Sequence, residues 1–244
     1  MRVYYDLHIH SCLSPCGDND MTPNNIVNMS LLNGMDMIAL TDHNSCRNCE
    51  AAVRAGKEAG LTVVPGMELT TSEEAHVVCL FPTVEQAMAF SGYVEERYPK
   101  IDNRPEIFGD QLIMDWQDEV VGRVPQLLIN ASSISVNEMP GLMARFGGAA
   151  FPAHIDHDSY SVISSLGVIP AEAGFRAAEI SAKGDRELLT QWYPELQEMI
   201  LLLDSDAHYL DWLKERRSWL DLPEKTPQCL VDALNGKIQI KWER

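Results

Sequence analysis

Seven histidines stand mostly beside short apolar runs, and their spacing is that of metal ligands. His8 and His10 form an H-x-H pair at the end of the first run. Extended residues two apart project to the same side, so both imidazoles can reach one ion. His43 follows the second run within T-D-H, Glu68 lies just past the third, and His154 closes the fifth. Asp206 and His208 repeat the two-residue spacing after the seventh. His76 is the exception, because it begins its run instead of ending it. Any one of these residues alone reads as a hydrogen-bonded structural group. Five separate strand-end regions that each present an imidazole or a carboxylate argue instead for a polynuclear site, with ligands that suit Zn, Mn or Fe.

The elements that must position these residues alternate. Candidate strands at 3–7, 37–40, 62–64, 76–81, 149–153, 177–180 and 199–203 read as near-continuous apolar runs, the pattern of strands buried on both faces of a parallel sheet. Helix signals lie between them. Thr22-Pro23 and Thr226-Pro227 are N-terminal caps with a first-turn proline, Gly34, Gly60 and Gly236 are stops, and Ser135 and Glu138 have capping-box spacing. Alternating strand and helix predicts an α/β fold with a parallel sheet, and seven strands suit a barrel slightly smaller than the eight-stranded one. In such a barrel the segments leaving the strands' carboxyl ends converge on one mouth. The rhythm breaks at about 99–134, a stretch rich in Pro, Gly and Asp, where 111–114 and 126–129 are candidate arms of a hairpin. This reads as an insertion on one barrel domain.

The chain has 244 residues, with 19 Lys plus Arg against 36 Asp plus Glu, so its formal charge is 19 − 36 = −17. That acidity argues against a general polyanion-binding surface and against stable duplex nucleic-acid binding. It leaves a phosphorylated small molecule open as substrate, since bound cations reverse the local field. No apolar run approaches the ~18 residues of a membrane span. Residues 1–10 lack a signal peptide's apolar centre, so a cytoplasmic protein is expected. Cys12/Cys16 and Cys46/Cys49 are close pairs that could supply thiolates, but neither sits in a zinc-ribbon or thioredoxin context.

Taken together, the motifs resemble the PHP domain, named for polymerase and histidinol phosphatase. They are D-L-H-I-H-S at 6–11, L-T-D-H-N at 40–44, P-G-M-E at 65–68 followed by His76, P-A-H at 152–154 and S-D-A-H at 205–208. The resemblance implies a distorted seven-stranded (β/α) barrel over residues 1–244, with a small inserted segment at about 85–146. It also implies two or three divalent metal ions at the strands' carboxyl ends. The family's ligands would fall on His8, His10, His43, Glu68, His76, His154, Asp206 and His208. A ninth would be Asp18, with Asp20 as the alternative, because the S-P-C-G-D-N-D-M-T-P loop is longer than the family's usual form.

Such a centre suits a metal-dependent phosphoesterase acting through metal-activated water on a small phosphorylated substrate, a nucleotide or short RNA. His154 or His208 would protonate the leaving group. Arg47, His157, Lys183 and Arg186 are candidate substrate contacts, and Asp6 and Asp42 are candidates for fixing imidazole tautomers. The competing readings are an amidohydrolase-type hydrolase, which also uses H-x-H after its first strand, and a metal-binding regulatory module without turnover.

Overall fold

The computed structural model describes residues 1–242. In chain order the elements are β1 (Arg2–Ile9), α1 (Pro23–Leu32), β2 (Met37–Leu40), α2 (Cys49–Ala59), β3 (Thr62–Thr70), β4 (His76–Leu80), α3 (Val84–Glu95), α4 (Pro105–Phe108), β5 (Leu112–Met114) and β6 (Val120–Arg123). They continue with α5 (Met139–Phe146), β7 (Ala149–Pro152), α6 (Val162–Leu166), β8 (Ala177–Glu179), α7 (Arg186–Trp192), β9 (Ile200–Leu202), β10 (Trp219–Asp221) and α8 (Pro227–Leu234). The expected caps are in place. Thr22 and Thr226 accept from Asn25 N and Cys229 N, and Gly60 ends α2 in the left-handed conformation at φ 84°.

All seven apolar runs are strands, but they do not form one parallel barrel. Six strands make a curled sheet in the order β10-β1-β2-β3-β4-β7, and β8 pairs with β9 separately. β1, β2 and β3 are parallel, whereas β4 runs antiparallel to both β3 and β7. The reason is local. Only residues 71–75 connect β3 to β4, and a parallel crossover needs a dozen residues or more, so the short link forces a hairpin. The result is a mixed α/β fold with a half-barrel sheet. A parallel bridge between Ile9 and Ala207 brings the segment after β9 beside the end of β1.

Apolar side chains line both sheet faces. Leu7, Met37, Val64, Val78 and Phe151 pack on one side. Ile9, Ile38, Met67, Val77 and the inner faces of the helices pack on the other. Between β4 and β7, the hairpin expected from 111–114 and 126–129 is instead β5 with β6. The apolar residues Leu127 and Leu128 are buried as loop packing, whereas the true second arm exposes Val120 and Val121.

Among the described residues no helix is long and apolar enough to cross a membrane. The six cysteines are free thiols, with Cys16 alone exposed. Cys46 and Cys49 both donate to the Gly66 carbonyl, at 3.1 and 3.4 Å. Burial pushes the Cys46 thiol well up and that of Cys12 up to about 12. Cys12 and Cys46, kept protonated by burial, pack as small apolar groups, and no cysteine joins a metal-ligand cluster among the described residues.

Candidate metal centre

One end of the curled sheet gathers the histidines. His8, near the end of β1, and His10, just past it, have their Nε2 atoms 3.1 Å apart. His43, just past β2, pairs with Glu68 through an isolated parallel bridge that prolongs the β2–β3 ladder. β3 runs on to Thr70, so Glu68 is carried to the centre of the cluster. Because β4 is antiparallel, its first residue lies at the same end where β1, β2 and β3 finish. That orientation explains why His76 begins its strand yet still reaches the cluster. His154 and Asp206 follow β7 and β9 with positive φ, 26° and 49°. Non-glycine residues adopt this conformation rarely, and its strain is concentrated where side chains are aimed for function.

Glu68 is 1% exposed and surrounded by imidazoles. Its Oε1 lies 3.3 Å from His8 Nε2, 2.8 Å from His76 Nδ1 and 3.2 Å from His154 Nε2. Its Oε2 lies 3.3 Å from His10 Nε2 and 2.9 Å from His43 Nδ1. Asp206 Oδ1 is 3.5 Å from His8 Nε2 and 3.2 Å from His10 Nε2. The His10 and His208 rings stack at 4.1 Å.

Only part of this proximity is hydrogen bonding, namely His154 Nε2 with Glu68 Oε1 and His8 Nε2 with His10 Nε2. His43 Nδ1, Glu68 Oε2, His76 Nε2, His154 Nδ1 and Asp206 Oδ1 are all buried without a hydrogen-bond partner. An unpaired buried polar atom costs about 1–3 kcal/mol. His43 Nδ1, Glu68 Oε2 and Asp206 Oδ1 face the interior of the cluster and need another kind of partner, whereas His76 Nε2 and His154 Nδ1 are the ring nitrogens opposite those that approach Glu68. Lone pairs converging from nitrogen and carboxylate oxygen fit divalent cations. Three overlapping sets have donor atoms within 4.8 Å of one another: His10/His43/His208, His8/His10/Glu68 and His43/Glu68/His76.

The field at the centre is mixed. Burial holds His43 down to about 4 and His208 down to about 3, so both are neutral imidazoles with a free lone pair. Burial would depress His10 as well, but the Asp206 and Glu68 carboxylates outweigh it and raise the ring to about 9. Glu68 is held well below the usual carboxylate range; burial opposes ionisation, and the surrounding imidazoles, His76 foremost, overcome it.

Supporting contacts differ from those expected. His8 Nδ1 is held by Glu179 Oε2 at 2.7 Å. His10 Nδ1 meets Ser14 Oγ at 2.8 Å, and Ser14 donates in turn to Asp42 at 2.7 Å. Asp42 therefore steers His10 through a serine, and its carboxylate accepts from Ser11 and Ser14 instead of orienting the His43 ring. Asp6 touches no imidazole; it accepts from Ser205 N and fixes the loop that carries Asp206. Asn44, at φ 49°, accepts from Thr70 N and donates to Leu128 O, which ties the end of β3 in place. Glu179 went unnoticed in the sequence although it carries a signal: a carboxylate inside the apolar run A-A-E-I must have a buried partner. Glu179→Gln keeps the shape but not the charge behind His8. It is expected to weaken metal binding about 10- to 100-fold, which metal titration followed by calorimetry reads directly.

The remaining candidates spread out. His157 stacks on His154 at 4.4 Å. It lines a cavity of about 460 Å³ together with Lys183, Asp206 and Trp212. Arg47 points outward to Glu95 at 3.0 Å, and Arg186 opens α7 outside that lining, so neither is brought to the cavity. Asp18 reaches the rim only through its backbone, with Asp18 N donating to His208 O at 3.0 Å. Its carboxylate accepts from Asp20 N, and Asp20 itself is exposed.

The PHP-domain family model matches residues 6–147, more than half of the chain and the part that holds His8, His10, His43, Glu68 and His76. The chain belongs to the PHP-domain family. It is 34% identical over 83 residues to a 5'-3' exoribonuclease of Haemophilus influenzae, a match covering 33% of this chain and 29% of that protein. Its fold is similar to that of the lesion-specific endonuclease Q of Pyrococcus furiosus, at TM-score 0.74 and 17% identity over 99% of this chain and 58% of that one. A protein of Bifidobacterium adolescentis provisionally assigned as a metal-dependent phosphoesterase is similar at TM-score 0.58 and 18% identity, over 87% of this chain and 90% of that one. This PHP domain thus spans well under two thirds of the exoribonuclease and of endonuclease Q.

One expectation is overturned here. Endonuclease Q also has a structure in complex with a 27-mer duplex carrying an abasic lesion at the active site, matched at TM-score 0.73. Acidity summed over a whole chain therefore does not exclude duplex nucleic acid as a partner of this fold. What a phosphodiester meets is the local field at the mouth, which any bound cations would reverse against the net charge.

Proposed function

We propose that this chain hydrolyses a phosphate ester through metal-activated water. The ions would be two or three of Zn, Mn or Fe, held by His8, His10, His43, Glu68, His76, His154, Asp206 and His208, with Asp18 at the rim. The observation that carries this reading is the gathering of imidazole nitrogens and carboxylate oxygens around Glu68, among them the unpartnered His43 Nδ1, Glu68 Oε2 and Asp206 Oδ1. Divalent ions held by these residues would lower the pKa of water and offset charge on the phosphoryl oxygens. The chain supplies the rest. Glu68 lies between the two sides of the cluster with one carboxylate oxygen toward each. Glu179 and the Ser14–Asp42 pair keep the H-x-H rings from turning. His157 and Lys183 border the cavity where the non-reacting part of the ester would lie. Of the two candidate proton donors, His154 is favoured over His208, because the Glu68 carboxylate overcomes burial and raises the His154 ring, whereas burial keeps His208 neutral.

A nucleotide or nucleic-acid strand is the favoured substrate class, on two grounds. The cavity has the volume of a small-ligand site, and the relatives named above include an exoribonuclease and an endonuclease. The test is release of phosphate or nucleotide by Mn-loaded protein from a panel of p-nitrophenyl phosphate, mononucleotides, short RNA and an abasic duplex, with and without chelator. Turnover that the chelator abolishes is expected. Amide hydrolysis without ester hydrolysis would move the chain to the amidohydrolase reading. Full metal content without turnover of any ester would leave only a metal-binding module.

A further inference from the structure

S-D-A-H leads directly into two aromatic residues that the metal centre does not use. Tyr209 and Trp212 bracket a single 3-10 turn, Leu210–Trp212, closed by Trp212 N donating to Tyr209 O at 3.0 Å. The turn is anchored from beneath, since Leu213 is buried in the core and Leu210 packs against it. Leu213 O accepts from Asn33 Nδ2 at 2.8 Å, which ties the turn to the end of α1. On this fixed turn Trp212 is 49% exposed and Tyr209 40%. Their rings are 4.8 Å apart, and Trp212 stands edge-on to the His208 ring at 6.4 Å.

An indole left half in water on an anchored turn, one ring away from a proposed metal ligand, has lost little by being held and has much apolar face to offer. It lines the same cavity as Lys183 and Lys214. Neither lysine has an ion pair among the described residues. The cavity thus combines a flat aromatic face, two ammonium groups without an ion pair and the carboxyl groups of Glu179, Asp204, Asp206 and Asp211, so the lysines are its cationic groups for a phosphate beside the imidazoles His154 and His157. A flat face beside cations matches a base-bearing phosphate ester better than a sugar phosphate or an aliphatic one.

We infer that Trp212, backed by Tyr209, is a stacking platform that selects esters carrying a nucleobase, with Lys183 and Lys214 holding a phosphate oxygen not under attack. This deepens the phosphoesterase reading and rests on it for the reacting end of the substrate. The platform sets specificity and takes no part in bond cleavage.

The test compares Mn-loaded wild type, Trp212→Ala and Trp212→Phe on thymidine 5'-phosphate and on deoxyribose 5-phosphate, which differ only in the base. The ratio of kcat/KM between the two esters should fall about tenfold or more in Trp212→Ala, mostly through KM. Trp212→Phe should recover most of that ratio, which loss of fold would not allow. A second arm needs no turnover. Tetrathymidylate with phosphorothioate links should quench the tryptophan fluorescence of wild type, its abasic counterpart should not, and the quench should vanish in Trp212→Phe although the ligand still binds. An unchanged ratio in Trp212→Ala, or equal quenching with and without bases, overturns the platform. If wild type cleaves neither these two esters nor any member of the wider panel, the phosphoesterase reading falls, and the binding arm alone decides the platform.

Discussion

Glu68→Gln should strip metal and turnover together. The substitution preserves volume in a site that is 1% exposed, so it tests charge, not packing. Both carboxylate oxygens lie 2.8–3.3 Å from imidazole nitrogens on opposite sides of the cluster. An amide offers one oxygen and, on the other side, N–H donors where an ion would need a lone pair. Two of the three ligand sets include Glu68, so its loss should reach more than one ion. Elemental analysis should fall to at most one ion per chain, and ester hydrolysis should drop by about a hundred- to a thousandfold or more, the scale of losing one electrostatic partner of a transition state. Unchanged stoichiometry in a folded variant would remove Glu68 from the ligand set.

The metal centre was legible because each donor stands next to an apolar run. Strand ends converge in space whatever lies between them in sequence, so His8, His43, Glu68, His154 and His208 could be grouped without knowing the sheet order. Strand direction was less legible. Apolar content is the same for a parallel and an antiparallel buried strand, and only the short link at residues 71–75 marks β4 as the reversed one. Taking that link into account turns His76 from an exception into a residue at the expected end. The hairpin arm went wrong for a related reason. Leu127 and Leu128 look like a strand because they are apolar, yet their burial comes from loop packing, while β6 has an exposed face and a weak pattern.

Supporting residues were the hardest to read. Ser14 reaches His10 and Asp42 at once because the loop after β1 folds back, closed by Ser14 N donating to Ser11 O at 3.0 Å. No spacing rule encodes that turn. Asp204 shows the same gap from the other side. Burial, with the Glu179 and Asp6 charges nearby, holds its carboxyl well above the usual range, while Oδ1 accepts from Leu7 N at 2.6 Å. An acidic group that takes its form from tertiary neighbours looks, in sequence, like any polar residue after a strand.

Metal removal should also lower stability, and by an amount that can be stated. A cation that binds the folded chain and not the unfolded one adds RT ln(1 + [L]/Kd), about 2.7 kcal/mol at a hundred times Kd. For a chain of this size each kcal/mol moves Tm by about 2–4 °C, so chelation should cost about 5–10 °C, and more where several ions bind. Tm should climb again with the logarithm of added Mn2+. The direction follows from the site: buried nitrogens and carboxylate oxygens that lack hydrogen-bond partners gain one when a cation enters. Scanning calorimetry with chelator and then with graded Mn2+ reads the effect. Glu68→Gln should show a much flatter response, which separates binding at this centre from general ion effects on an acidic surface. A Tm indifferent to chelator in wild-type protein shown by elemental analysis to have carried and lost its metal would mean that the ions sit somewhere other than the cluster around Glu68.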